Sequence, residues 1–234
     1  EVFPSYLDPN FKKEYIYITL LTTGIYESKL FELLKSTIDK NLNNFKISFL
    51  PNHKGVKIRL SKIERDGDLR KFKDRVMEKI EKYVYGYDRQ MIEEIVSEKL
   101  IDNGLTIAVA ESCTGGYISK KLTNIPGSSR YFKGSIIAYD NIIKKKFLNI
   151  SEQLLIDKGA VSSEVAVEMA KNIRNKFNVD IGLSTTGISG PTGGSDKKPI
   201  GLIYIAISTK NKTIMKKFNL KPRRKEHRDI ATHT

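Results

Sequence analysis

Cysteine is almost absent from this chain of 234 residues. Cys113 stands alone, which excludes an internal disulfide and a zinc site built from cysteines. Histidine is scarce too: His53, His227 and His233 fall at no spacing that reads as a metal site. No apolar run approaches the roughly 20 residues needed to cross a bilayer, and the opening Glu1-Val2-Phe3-Pro4 lacks the pattern of a secretory signal. A cytoplasmic protein with no membrane partner is the expectation. An initiator methionine is missing as well, so the chain is expected to be a piece of a longer polypeptide. Acidic residues are in deficit, 27 against 41 Lys and Arg, for a formal net charge of +14. Such a charge favours anionic partners: nucleic acid, a phosphorylated metabolite or an acidic protein surface. However, lysine, asparagine and isoleucine are abundant together, as a biased base composition would produce unaided. No basic block is interleaved with aromatics as in a single-strand binder, so nucleic acid is not an expected partner.

What is present reads as two globular regions. Residues 1–14 hold two prolines and no periodicity, and read as a tail. Strand patterns follow at 14–21, 46–50 and 56–60, the last two joined by a hairpin-like connection at 51–55. Amphipathic helices are predicted from Ser28 to Lys40 and over 68–84, where Leu69, Phe72, Val76, Ile80 and Val84 form one apolar stripe. Gly86 is expected to stop that helix and Asp88 to cap the next. This small α+β unit is assigned residues 1–86.

From residue 89 strands and helices alternate. Helices are predicted at 91–103, 117–123, 142–148, 151–158 and from Ser162 or Ser163 to Phe177. Strands are predicted at 105–110, 134–139, 179–185, 200–209 and 213–219, and residues 221–234 begin a further helix. The alternation predicts an α/β fold: a three-layer α/β/α sandwich with a mixed sheet over 89–234, its ligand crevice at the carboxyl ends of the strands.

Three loops fall at that crevice. In the first, Ala110-Glu111-Ser112-Cys113-Thr114-Gly115-Gly116, a buried strand turns into a helix. Ser112 or Cys113 there can be a nucleophile beside free helix N–H groups. Gly115 and Gly116 remove side chains that would hold a substrate off the backbone. Simple helix capping, with Thr114 as the N-cap, accounts for the same residues. The second loop, from Thr186-Gly187-Ile188-Ser189-Gly190-Pro191 to Gly194, is a nest of N–H groups suited to phosphate. In the third, Tyr139-Asp140-Asn141 precedes Lys144. A lysine there, with Lys145 and Lys146 beside it, is ordinarily a solvated charge, yet if buried against a hydroxyl it becomes a neutral general base.

These loops, with Pro126-Gly127-Ser128-Ser129, Gly159-Ala160-Val161-Ser162 and Lys198-Pro199-Ile200-Gly201, occur in the same order in the CinA C-terminal domain, the nicotinamide-nucleotide amidase family, which residues 89–234 resemble. Residues 1–86 are similar to the KH-like module that links this domain to an N-terminal domain in longer members. The resemblance implies hydrolysis of nicotinamide mononucleotide to nicotinate mononucleotide and ammonia, in pyridine-nucleotide salvage, by a homodimer without metal or other cofactor. It implies Ser112 as nucleophile, Lys144 as its base and Tyr139 beside them. Cys113, Thr114, Gly115, Gly116, Thr186, Gly187 and Gly190 would bind substrate. Members usually carry Gly-Asp-Arg near the end, where this chain has Lys221-Pro222-Arg223-Arg224; Arg224 and Arg228 are the nearest matches for substrate-binding arginines. Ser189 stands where alanine is commoner, the family's last helix is expected to be missing beyond Thr234, and the linker lacks the Gly-x-x-Gly loop of nucleic-acid-binding KH domains. The alternative is a non-catalytic, regulatory nucleotide-binding module.

Overall fold

A computed structural model describes residues 16–41, 43–52, 55–63, 67–220 and 224–234. The expected tail, His53 and Lys54 of the hairpin connection, and Lys221-Pro222-Arg223 lie outside the described residues. The chain divides into two units, Glu1–Gln90 and Met91–Thr234.

In the first unit, alternation along β3 (Gly55–Lys62) buries Val56, Ile58 and Leu60 on one face. With β1 (Tyr17–Thr22), β2 (Phe45–Asn52) and β4 (Val84–Tyr87) it forms an antiparallel sheet ordered β2-β3-β1-β4. Leu30 and Leu34 of α1 (Glu27–Asp39) and Leu69, Phe72, Val76 and Ile80 of α2 (Leu69–Ile80) close the core, where Phe45 stacks on Phe72 at 4.4 Å. The helix expected to reach Val84 stops at Ile80. A 3₁₀ turn, Glu81–Tyr83, hands the chain to β4, whose Val84, Gly86 and Tyr87 pair with the edge of β1. Ladder hydrogen bonds on an open strand edge outweigh one more turn of apolar stripe. Asp88 extends this pairing instead of capping a helix: its carboxylate accepts from the Thr19 N–H at 2.8 Å, and its own N–H donates to Thr19 O at 2.7 Å. The next helix, α3 (Ile92–Asp102), has the Glu94 carboxylate accepting from the Met91 N–H instead.

The second unit carries a mixed sheet ordered β6-β5-β7-β8-β9. Strands β5 (Ile107–Glu111), β6 (Phe132–Ile137) and β7 (Ile181–Gly187) are parallel, while β8 (Leu202–Ser208) and β9 (Thr213–Asn219) add antiparallel to β7. Side chains of β5 alternate between two layers. Ala108 and Ala110 meet Val165, Met169 and Ile173 of α7 (Ser163–Phe177), which the Ser162 hydroxyl caps. Ile107 and Val109 meet Leu100 of α3 and Ile118 and Leu122 of α4 (Tyr117–Thr123) on the opposite face. Helices α5 (Asn141–Leu148) and α6 (Glu152–Lys158) pack on the α7 side, and α8 (Arg224–His233) sets Ala231 against Ile203 and Cys113. This is the α/β architecture read from the sequence. Register aligns Glu111 with Ile137 and Thr185, so three parallel strands end together and their loops converge.

Candidate active site

The corner after β5 is held by Glu111, a residue whose role the sequence did not disclose. Its carboxylate is fully buried and accepts four hydrogen bonds: from the N–H of Gly116 (2.8 Å), Ile118 (3.2 Å) and Ser119 (2.8 Å), and from the Ser119 hydroxyl (2.6 Å). An anion at a helix start satisfies the unpaired donors and meets the positive end of the dipole. Thr114, expected to be the cap, instead shares a hydrogen bond with Thr185 Oγ1 at 2.8 Å. First-turn N–H groups of α4 are therefore engaged by Glu111.

Behind the corner sits Arg228. Its Nη2 donates to Thr114 O at 2.9 Å, and its guanidinium lies 4.4 Å over the Tyr117 ring. Gly115 has φ of 56°, and a Cβ there would come within 2.6 Å of Arg228 Nη2. The glycine makes room for an arginine of the same chain. Thr114, Gly115, Gly116 and Arg228 consequently form the back of the turn, outside the cavity wall.

The remaining expected residues converge on a cavity of about 310 Å³. Ser112, Cys113, Tyr139 and Lys144 line it together with Thr186, Gly187, Gly190 and Arg224. Ser112 is anchored by its N–H, which donates to Thr185 O at 3.0 Å. Thr186 donates its hydroxyl to Ala160 O at 2.8 Å. Arg224 bridges the loops, donating to Gly190 O at 2.6 Å and to the Tyr139 hydroxyl at 2.8 Å.

Lys144 differs from the lysines beside it. It is 1% exposed, one turn into a helix whose first N–H groups are capped by Asp140. Its Nζ donates to Ala138 O at 2.8 Å and Tyr139 O at 3.2 Å. Burial pushes its pKa below the ordinary 10.5, against opposing pulls from Asp140 and Cys113. Lys145, by contrast, makes an exposed ion pair with Glu152. Burial has the opposite effect on Cys113, whose thiol is pushed up to about 12, chiefly by desolvation. At neutral pH it is a packed thiol, far from the thiolate a nucleophile requires. Among the described residues no hydrogen bond joins Ser112 Oγ to Lys144 Nζ, although both residues line the cavity.

The sequence reading left one partnership out: Ser189, which lines the cavity, is backed by a histidine of α8. Ser189 hydrogen-bonds His227 Nδ1 at 2.9 Å, and His227, fully buried, places Nε2 3.2 Å from Gly201 O. A signal existed: positions 224, 227, 228 and 231 share one face of α8. Among the described residues, no group of three or more His, Cys, Asp or Glu is placed to hold a metal ion, and no helix is long and apolar enough to cross a membrane.

Residues 89–234 match the CinA C-terminal domain model and residues 18–86 the damage-inducible protein CinA KH domain model. The chain belongs to the CinA family. CinA-like proteins of Amoebophilus asiaticus and Dictyoglomus turgidum are each 40% identical to it, over 92% and 94% of this chain and 53% and 55% of theirs. The chain thus spans about half the length of these CinA relatives. Crystal structures of CinA superfamily proteins superpose on part of the chain. The one from Escherichia coli has a TM-score of 0.59 at 28% identity, covering 60% of this chain and 82% of that one. A competence/damage-inducible protein from Agrobacterium tumefaciens gives 0.59 at 31%, covering 60% and 87%. Every cavity residue named above lies within the matched CinA C-terminal domain.

Proposed function

We propose that the cavity is the active site of an amidohydrolase that converts the carboxamide of nicotinamide mononucleotide to a carboxylate, releasing ammonia. The observation that carries this reading is the environment of Lys144. A neutral amine has two N–H bonds and one lone pair. Both donors of Lys144 have carbonyl acceptors, Ala138 O and Tyr139 O, which leaves the lone pair as the feature the amine can present to the cavity it lines. Desolvation favours that uncharged form.

In the reaction Ser112 Oγ attacks the amide carbon as Lys144 takes its proton. The tetrahedral intermediate collapses as Lys144 returns that proton to the departing nitrogen, and ammonia leaves. Water, activated by the same amine, then hydrolyses the ester on Ser112. Donors for the oxyanion come from the cavity wall, since the α4 N–H groups are engaged by Glu111. Arg224 and the glycine-rich loop hold the phosphate. Ser112 Oγ and Lys144 Nζ make no hydrogen bond with each other, and such contacts commonly tighten only around substrate.

That gap is also the one feature favouring a second reading, a nucleotide-binding module without turnover. Ammonia release from nicotinamide mononucleotide separates the two. The unaltered chain is expected to release ammonia, and Ser112→Ala and Lys144→Ala to lower kcat at least 10³-fold with the melting curve retained. Tight binding with no release over hours would favour the second reading.

A further inference from the structure

Ser189 lines this cavity, and behind it His227 is its buried hydrogen-bond partner. The Gly201 carbonyl carries no proton, so the hydrogen bond at 3.2 Å requires a proton on His227 Nε2. In the neutral ring Nδ1 is then an acceptor, and the 2.9 Å contact takes the single proton of the Ser189 hydroxyl. Gly201 is itself fixed, its N–H donating to Ile188 O at 2.8 Å, while the Ile188 N–H donates to Leu202 O at 2.8 Å. Burial lowers the His227 pKa from its ordinary value against the opposing pull of the Gly201 carbonyl, with the Arg224 guanidinium adding to the effect, and so favours the neutral ring. With its proton committed, Ser189 has only lone pairs to offer whatever fills the cavity.

We infer that Ser189 is a specificity-determining residue that presents a fixed hydrogen-bond acceptor to the ligand, with His227 as the positioning residue that sets its polarity. The inference deepens the proposed reading of the cavity as a mononucleotide carboxamide site and rests on it. A ligand must bring a donor to Ser189, either the carboxamide N–H or a ribose hydroxyl; a carboxylate or phosphate oxygen there meets lone pairs. This favours the amide over its acid product in the first case, and the ribonucleotide over a deoxyribose analogue in the second.

Calorimetry in a Ser112→Ala background, where turnover is blocked, tests this with three ligands: nicotinamide mononucleotide, nicotinate mononucleotide and a deoxyribose analogue of the first. Ser189→Ala is expected to weaken nicotinamide mononucleotide about tenfold. The loss should vanish for whichever of the other two ligands lacks the relevant donor. His227→Phe should reproduce the same ligand-selective loss, and the double variant should add nothing to either single change. An unchanged affinity after Ser189→Ala, or an equal loss for all three ligands, overturns the inference while leaving the cavity's assignment standing. If the Ser112→Ala chain with Ser189 intact binds none of the three, the assignment falls and this inference with it.

Discussion

Burial sorts residues that look equivalent in the chain. Lys144, Lys145 and Lys146 are three lysines in a row, and only the first is withdrawn from water, its Nζ donating to two carbonyls. Residue type alone leaves Ser112 and Cys113 both able to be the nucleophile, and burial, which pushes the thiol up to about 12, separates them. Neither distinction is written in residue type, because desolvation depends on what the rest of the fold brings near. The lowered pKa of Lys144 carries a signed consequence for activity. Its base form is the neutral amine, so kcat/KM should rise with pH and level off as the amine deprotonates. The midpoint of that limb is expected below 10.5, since burial disfavours the ammonium. A profile flat in that range, or one whose midpoint sits at or above 10.5, would remove Lys144 as the base.

Elements were legible where pattern and cap agreed. Ser151 and Ser162 begin α6 and α7 as read, and Gly159 ends α6. The misreadings occurred where a distant partner decides the outcome: Val84 continues an apolar stripe but pairs with β1, and Thr114 has a capping side chain but is displaced by Glu111. Nothing in the sequence marks Glu111 for this role, because its four donors lie five to eight residues ahead in a turn that only the fold builds. It ties the nucleophile corner to α4, so its removal should be felt in stability as well as rate. Glu111→Gln exchanges one acceptor oxygen for a donor facing N–H groups, and the cost is expected to be roughly 3 kcal/mol, or about 5–10 °C in Tm. Thermal unfolding followed by circular dichroism checks this; a loss below about 1 °C would mean the carboxylate is not what holds the turn.

At the scale of the whole molecule, the order of strands and helices disclosed the α/β architecture, and the carboxyl ends of the parallel strands disclosed where the loops meet. Which arginine of α8 reaches the cavity was not disclosed: Arg224 does, and Arg228, one turn on, grips the corner from behind. The net charge of +14 is counted over the whole chain, whereas the proposed ligand meets a few fixed groups. Raising salt from 50 to 200 mM should therefore weaken nicotinamide mononucleotide by less than about tenfold. Binding that rests on many phosphate contacts would fall by roughly 10³-fold or more, and titration at both salt concentrations distinguishes the cases. The central claim, an activated Ser112 hydroxyl attacking a carboxamide, is tested most directly by acid-quenching the chain during turnover of nicotinamide mononucleotide and mapping the acylated peptide by mass spectrometry. A nicotinoyl ester on Ser112, lost in Lys144→Met, is the expected result; an adduct on Cys113, or steady ammonia release by a Ser112→Ala chain, would contradict it.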